Sequence, residues 1–176
     1  MAEEKNHNLN DLLARSYGQF SNAIFRYCYF QTSDRQKALD FTQDTFIKTL
    51  EYLAEGKEVE NLRAFLYKVA RNLIIDERRK RKSESLDQMQ DLGFDVKSEQ
   101  DESEAHEDAF DANMVIEVVN QLELKYREVI MLRYVEDMSV KDIAAVLGDT
   151  ENNVSVKIHR GLEKLRALMR REGEEE

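Results

Sequence analysis

One segment of this 176-residue chain limits how the chain can fold. Residues 84–112 contain eleven Asp and Glu side chains and one Lys, so this segment alone carries a charge of −10, equal to the formal net charge of the whole chain. A stretch this polar and self-repelling buries too little apolar surface to offset the entropy of folding. We therefore expect residues 84–110 to form a flexible acidic linker, with a charge-rich surface helix near its end as the alternative. Two small domains remain, residues 1–83 and 111–176.

The rest of the sequence indicates an all-α protein. Proline is absent, glycine occurs six times, and no alternating run of Val, Ile and Thr predicts a strand. No apolar run has the length of a membrane-spanning helix and the N-terminus does not resemble a secretory signal, so we expect a cytoplasmic protein without membrane insertion. One cysteine allows no internal disulfide, and the three histidines are scattered. No metal site and no cofactor are predicted.

The first domain is predicted to contain three helices. The first spans about residues 9–30. Ser33 is expected to cap the second helix, Gly56 to end it, and Asn61 to cap the third. The second helix should pack through the apolar side chains that recur at helical spacing, which are Leu39, Phe46, Leu50 and Leu53.

The third helix has an apolar face and a basic face. Helical spacing assigns to the core Leu62, Phe65, Leu66, Val69, Ala70 and Leu73. The opposite face carries Lys68, Arg71, Asn72, Ile75, Arg78, Arg79 and Lys82. This face could be an ordinary solvated surface, with cations favourably placed at a helix C-terminus. Together with the aromatic rings of Phe65 and Tyr67, it could also bind unstacked bases and phosphates.

The second domain is predicted to contain four helical segments. Asp111 should cap the first, and the second covers residues 124–135. Ser139 begins a short third helix that Gly148 ends, and Thr150 caps the fourth. Two helices joined by a tight Gly-Asp turn predict a helix-turn-helix, in which the second helix lies in the DNA major groove. An αα-hairpin with a hydrophilic face is the alternative.

The fourth helix has the residue types that read DNA. Its predicted inward stripe is Val154, Ile158, Leu162 and Leu165. Its predicted outward residues are Asn152, Asn153, Ser155, Val156, Lys157, Arg160 and Lys164. Asn can read adenine edges, Lys and Arg can bind guanine edges or phosphates, and the Val side chain can contact a thymine methyl group.

Three segments, in this order and spacing, resemble the extracytoplasmic-function (ECF) sigma factors of bacterial RNA polymerase. They are ALDFTQDTF (residues 38–46), FLYKVARNLIIDERR (65–79) and MSVKDIAAVLGDTENNVSVKIHRGLEKLR (138–166). The resemblance covers nearly the whole chain and implies a region 2 domain at residues 1–83, the linker, and a region 4 domain at residues 111–176. It implies a protein that binds core RNA polymerase and promoter DNA and directs promoter-specific initiation.

The resemblance also implies roles for individual residues. Those expected to bind the clamp helices of the polymerase β′ subunit are Asp40, Gln43 and Asp44. Those expected to recognise and melt the minus-ten element are Gly56, Lys57, Asn61, Lys68, Arg71, Asn72, Arg78 and Arg79. The outward residues of the fourth helix would bind the minus-thirty-five element, the helix at residues 124–135 would help receive the β flap, and an anti-sigma factor is an expected partner.

The chain departs from the family pattern at two places. Tyr67 stands where many relatives carry Trp. The predicted fourth helix of the second domain, which would read DNA, begins with Glu151, Asn152 and Asn153, where relatives often have a small residue and Thr. Promoter sequence preference therefore does not transfer from relatives.

Two other functions compete with this interpretation. A helix-turn-helix regulator that never joins polymerase would account for residues 139–165, but not for the segment at residues 38–46. An enzyme is disfavoured because the sequence has no nucleophile elbow, P-loop, metal cluster or Gly-rich phosphate loop.

Overall fold

A computed structural model describes the backbone of residues 2–88 and 119–172. The chain divides into two compact units, residues 1–99 and residues 100–176. The helices are α1 (Ala2–Thr32), α2 (Arg35–Ala54), α3 (Leu62–Gln88), α4 (Leu124–Ile130), α5 (Val140–Leu147) and α6 (Glu151–Glu172), and a π-helical turn (Met131–Val135) follows α4. No strand occurs among these residues, so the all-α prediction is confirmed. Among them, no helix is both long enough and apolar enough to cross a membrane.

Two predicted features fall partly beyond the described residues. Most of the acidic linker lies outside them, as does the first helix of the second domain before Val119. The described part of α3 continues through Gln88, into the segment predicted as a tether. Nothing in the sequence stops α3 at residue 83, since neither Gly nor Pro follows until Gly93.

In the first unit, α2 presents its small side chains to the core. Its buried residues are Ala38, Thr42, Thr45, Phe46 and Thr49. The three Thr hydroxyls donate to the backbone carbonyls four residues earlier, at 2.6 to 2.7 Å, so each of these three buried hydroxyls has a partner. The prediction that Leu39 packs in the core is wrong, because its side chain is 39% exposed. Phe46, one of the large residues predicted from apolar spacing, is buried as expected, but the other buried residues of α2 are small.

The buried face of α3 is rotated from the predicted one. Its fully buried residues include Leu66, Tyr67 and Ala70, whereas Val69 and Leu73 are only half-buried. The Tyr67 ring meets the Tyr27 ring of α1 edge to face, with 5.3 Å between centroids. The prediction that Tyr67 offers a stacking surface to DNA is therefore wrong. A Tyr ring buries large apolar area once its hydroxyl has a partner, which suits a helix interface.

The helix caps predicted for the first unit are confirmed except at one position. Asn61 Oδ1 accepts from the Ala64 amide at 3.0 Å, as predicted for an N-cap, and Gly56 ends α2 with φ of 81°. Ser33, however, does not cap α2. It ends α1 with φ of 52°, and Asp34 is the cap, because its carboxylate accepts from the Lys37 amide at 3.0 Å.

All three predicted caps of the helix-turn-helix are present. Ser139 Oγ accepts from the Asp142 amide at 3.1 Å, Gly148 ends α5 with φ of 64°, and Thr150 Oγ1 accepts from the Asn153 amide at 3.2 Å. Helix α6 packs against α4 at Gly161, where the backbone approaches the buried Ile130 side chain. The outward face of α6 is thereby fixed relative to the rest of the unit.

Candidate functional site

One face of α2 is a candidate protein interface. Asp40, Gln43 and Asp44 are all exposed on it, about one helical turn apart. Leu39 and Ile47 border these polar residues, and the Ile47 side chain is 52% exposed. Large apolar side chains left in water beside polar ones are typical of protein interfaces. Ile47 is not among the residues predicted from the sequence, although its spacing from Asp40, Gln43 and Asp44 places it on their face.

The loop between α2 and α3 brings a cation next to aromatic rings. The Lys57 ammonium lies 4.8 Å from the centroid of the Tyr52 ring and forms an ion pair with Glu55. The hydrogen bond to Glu55 raises the pKa of Lys57, so the ammonium stays charged. The Tyr52 ring in turn lies 4.7 Å from the ring of Phe65, the first aromatic residue of α3. Cations beside aromatic rings bind single-stranded nucleic acid, because bases stack on the rings while phosphates bind the cation.

Tyr52 is a candidate that the sequence analysis missed. The sequence feature that could have indicated Tyr52 is an aromatic residue one helical turn before Gly56, which ends α2. Gly56 and Lys57 lie in the same loop as predicted, whereas the Asn61 side chain is engaged in capping α3.

The basic residues predicted on α3 separate into two groups. Lys68, Asn72 and Arg79 are exposed, and their spacing places them on one stripe of the helix. Arg79 lies 4.0 Å from Asp76, in a pair open to solvent. Arg71 is half-buried, and Arg78 is exposed but donates through its guanidinium to Gln31 at the C-terminal end of α1. The exposed stripe, rather than the whole basic run, is the candidate phosphate-binding surface.

The outward face of α6 agrees with the predicted helix-turn-helix surface. The predicted outward residues that are exposed are Asn152, Asn153, Ser155, Val156, Arg160 and Lys164, and Lys157 is half-buried. Ser155 Oγ donates to the Glu151 carbonyl at 2.9 Å. The Arg160 side chain forms no hydrogen bond or ion pair with the residues that the structure describes, so its guanidinium is available to a partner.

Two of the predicted DNA-binding lysines have intramolecular carboxylate partners. The Lys157 ammonium lies 2.6 Å from Asp149 Oδ2, and Asp149 Oδ1 accepts from Asn153 Nδ2 at 2.9 Å and from the Thr150 amide at 2.8 Å. The hydrogen bond from Lys157, followed by the other two, lowers the pKa of Asp149 to about 2. The Lys164 ammonium lies 2.9 Å from Glu123 Oε1, just before α4, and 5.2 Å from the Tyr126 ring centroid.

A second group of exposed apolar side chains lies on α4 and its π-helical turn. Leu124, Tyr134 and Val135 are each about half exposed. The π-helical turn widens the backbone at this point, and such turns are frequent at functional sites. This surface belongs to the same unit as α6.

Comparisons with known proteins agree with both units. The Sigma-70 region 2 family matches residues 17–84, and the Sigma-70, region 4 family matches residues 112–165. The chain is 30% identical over 164 residues to the ECF RNA polymerase sigma factor SigL of Mycobacterium tuberculosis, covering 92% of this chain and 91% of SigL. It is 28% identical over 159 residues to SigW of Bacillus subtilis, covering 86% of this chain and 85% of SigW.

Solved structures show the same fold. The sigma factor RpoE in complex with the anti-sigma factor NepR, from Bartonella quintana, superposes with a TM-score of 0.70 at 22% identity, covering 89% of this chain and 96% of RpoE. CnrH in complex with the cytosolic domain of CnrY superposes with a TM-score of 0.68 at 22% identity, covering 96% of this chain and 94% of CnrH.

The two sigma-70 regions occur in order, and the similarity to SigL spans nearly all of both chains. The chain therefore belongs to the ECF sigma factors, which bind core RNA polymerase and direct promoter-specific transcription initiation.

Proposed function

We propose that the α2 face binds the clamp helices of the polymerase β′ subunit. The observation that carries this proposal is the exposure of Leu39 and Ile47 on the face that holds Asp40, Gln43 and Asp44. Burial of both apolar side chains would supply the hydrophobic centre of an interface, and the polar residues would fix its orientation. A regulator that acts without polymerase leaves this face unexplained.

The loop after α2 is proposed to capture an unstacked base of the minus-ten element. Tyr52 and Phe65 support this role because they place aromatic surface beside Lys57, and the exposed stripe of Lys68, Asn72 and Arg79 offers phosphate contacts along α3. Melting needs no ATP if the protein binds the single strand better than the duplex, because stacking and phosphate contacts then offset the cost of unpairing.

The second unit is proposed to place α6 in the major groove of the minus-thirty-five element. The helix-turn-helix caps and the exposed Asn152, Asn153, Val156 and Arg160 support this role. The apolar surface of Leu124, Tyr134 and Val135 is proposed to receive the β flap. The protein would act in the cytoplasm, where core polymerase transcribes.

An anti-sigma factor is the proposed regulator. Both structural relatives were solved in complex with another chain, RpoE with the anti-sigma factor NepR and CnrH with the cytosolic domain of CnrY. An anti-sigma factor that covers the α2 face or the apolar surface of α4 would prevent assembly with polymerase.

A core-polymerase binding assay with matched variants tests the proposed function. Ile47→Ser and Val156→Ser each remove an exposed apolar side chain from a helix, one on the α2 face and one on α6. We expect I47S to weaken core binding and V156S to leave it unchanged. If the wild-type chain did not bind core polymerase but still bound DNA, the regulator would be the correct function.

A further inference from the structure

The turn of the helix-turn-helix contains a carboxylate that contacts two of the proposed DNA-reading residues. Asp149 follows the glycine that ends α5 and precedes the cap of α6. Its Oδ2 accepts from the Lys157 ammonium, eight residues along the chain, and its Oδ1 accepts from the Asn153 amide. One side chain therefore holds residues from two successive turns of α6.

We propose that Asp149 is a positioning residue that makes Lys157 an oriented hydrogen-bond donor rather than a mobile charge, and so favours sequence discrimination over general DNA affinity. This inference rests on the proposed role of α6 at the minus-thirty-five element.

The ion pair changes what Lys157 can offer to DNA. An ammonium has three N–H donors, and Asp149 takes one, so two remain for acceptors such as guanine O6 and N7. The adjacent carboxylate cancels the positive charge, which removes much of the sequence-independent attraction to phosphate. Lys157 is also half-buried, so its side chain has less freedom to search for phosphates than the exposed Arg160.

Asp149 also determines which way the Asn153 amide faces. An ionised carboxylate can only accept hydrogen bonds, so the amide nitrogen of Asn153 must point toward it. The carbonyl oxygen and the second N–H then face away from Asp149, as the bidentate recognition of adenine requires. The low pKa of Asp149, about 2, keeps this carboxylate ionised at neutral pH.

Two substitutions separate this role from simple charge removal. Asp149→Asn is isosteric: its amide oxygen can still accept from the Thr150 backbone, while its NH₂ group faces the Lys157 ammonium and breaks the ion pair. Glu151→Gln removes one negative charge from the first turn of the same helix and leaves the Lys157 pair intact. E151Q is therefore the matched control.

The experiment uses holoenzyme reconstituted from core polymerase and the full chain. Wild-type holoenzyme first selects minus-thirty-five duplexes from a randomised library. Affinity for a selected duplex and for a scrambled duplex of equal composition is then measured over a range of salt concentrations. Failure of the wild type to enrich any duplex would overturn the role of α6 and this inference with it.

We expect D149N to bind the scrambled duplex several-fold more tightly than the wild type does. The magnitude of its salt slope should rise by about one, because one cation is released to phosphate. Its preference for the selected duplex should fall several-fold, whereas E151Q should keep the wild-type preference. In a chain that also carries Lys157→Met, there is no Lys157 ammonium to release, so D149N should change the salt slope of DNA binding no more than E151Q does.

Two results would overturn the role of Asp149 while leaving that of α6 standing. One is identical behaviour of D149N and E151Q. The other is a parallel loss of affinity for both duplexes with a lowered thermal midpoint, which would indicate a purely structural role.

Discussion

The guanidinium of Arg78 donates to the backbone carbonyl of Gln31 at 2.6 Å and to the Gln31 side-chain oxygen at 3.2 Å. Gln31 lies in the last turn of α1, where carbonyls have no partner within the helix. Arg78, a residue of the basic run on α3, thus donates to a carbonyl at the end of α1 and stabilises the first unit. From the sequence alone, the expected partner of this arginine is promoter DNA.

Arg78→Ala should lower the thermal midpoint of the first unit, because it leaves a helix-terminal carbonyl without its donor. We expect a loss of about 1 kcal/mol, the net value of an ordinary hydrogen bond, because this contact is exposed and water can partly replace the guanidinium. Arg79→Ala removes an equal charge from an exposed position and should leave the midpoint nearly unchanged. Thermal unfolding followed by circular dichroism measures both, and equal midpoints would contradict the stabilising role of Arg78.

The position of the α2 cap can be tested by comparing Asp34→Ala with Ser33→Ala. D34A should destabilise the first unit by about 1 kcal/mol at neutral pH, whereas S33A should have little effect. The hydrogen bond from the Lys37 amide lowers the pKa of Asp34 below its ordinary value of 3.8. The stabilisation is therefore present above pH 4 and is lost as the pH falls through the lowered pKa. The difference between D34A and wild type should shrink in acid, and a difference that stayed constant to pH 2 would argue against the ionised cap.

Two glycines in helices should respond to alanine in opposite directions. Gly18→Ala in α1 meets nothing within 4 Å, so its higher helix propensity should stabilise the first unit by up to about 1 kcal/mol. Gly161→Ala in α6 would place a Cβ 3.1 Å from Ile130 Cγ1 and 3.3 Å from its Cδ1. Ile130 is buried and cannot move aside cheaply, so G161A should destabilise the second unit. Chemical denaturation gives both values, and a stabilised G161A would show that α4 and α6 pack more loosely than described.

Tyr52→Leu should impair promoter melting more than core-polymerase binding, because leucine fills space but has no π face for a base. Tyr52→Phe keeps the ring against Phe65 and near Lys57, and should retain melting. Permanganate footprinting of open complexes formed by reconstituted holoenzyme measures the melted region. Normal melting with Y52L would show that Tyr52 does not contribute to capture of the minus-ten base.

Arg160→Ala should weaken binding to the minus-thirty-five duplex and reduce the magnitude of its salt slope by about one. Lys164→Ala should change the slope much less, because the Lys164 charge is already balanced by Glu123. Both side chains are exposed on α6, so the pair compares an unpaired cation with a neutralised one. Equal slopes for the two variants would mean that the Glu123 pair opens on DNA.

The features that were predicted correctly from the sequence are local. The caps at Asn61, Ser139 and Thr150, and the glycine that ends α5, each depend on residues within one helical turn. The helix-turn-helix and its outward face followed from those caps. Among the caps that fall on described residues, Ser33 is misplaced, because α1 ends there with a positive φ and Asp34 caps α2 instead.

The features that were missed depend on tertiary contacts. Whether α2 buries Leu39 or its threonines is decided by how closely α1 and α3 approach, which spacing along one helix does not reveal. Tyr67 is buried because Tyr27, forty residues earlier, lies opposite its ring. The partners of Arg78 and Lys164 are 47 and 41 residues away, so the sequence alone showed these cations as free.

The threonine-lined inner face of α2 separates the residues that stabilise the fold from the exposed residues proposed to bind a partner. On one side of α2, small side chains whose hydroxyls bond within the helix stabilise the fold, and on the other side Leu39 and Ile47 are exposed and are proposed to bind polymerase. Leu39 and Ile47 can then change in size or polarity without creating a cavity in the core. If the α2 face binds polymerase as proposed, substitutions at Leu39 and Ile47 can tune that affinity while the free energy of unfolding stays nearly the same.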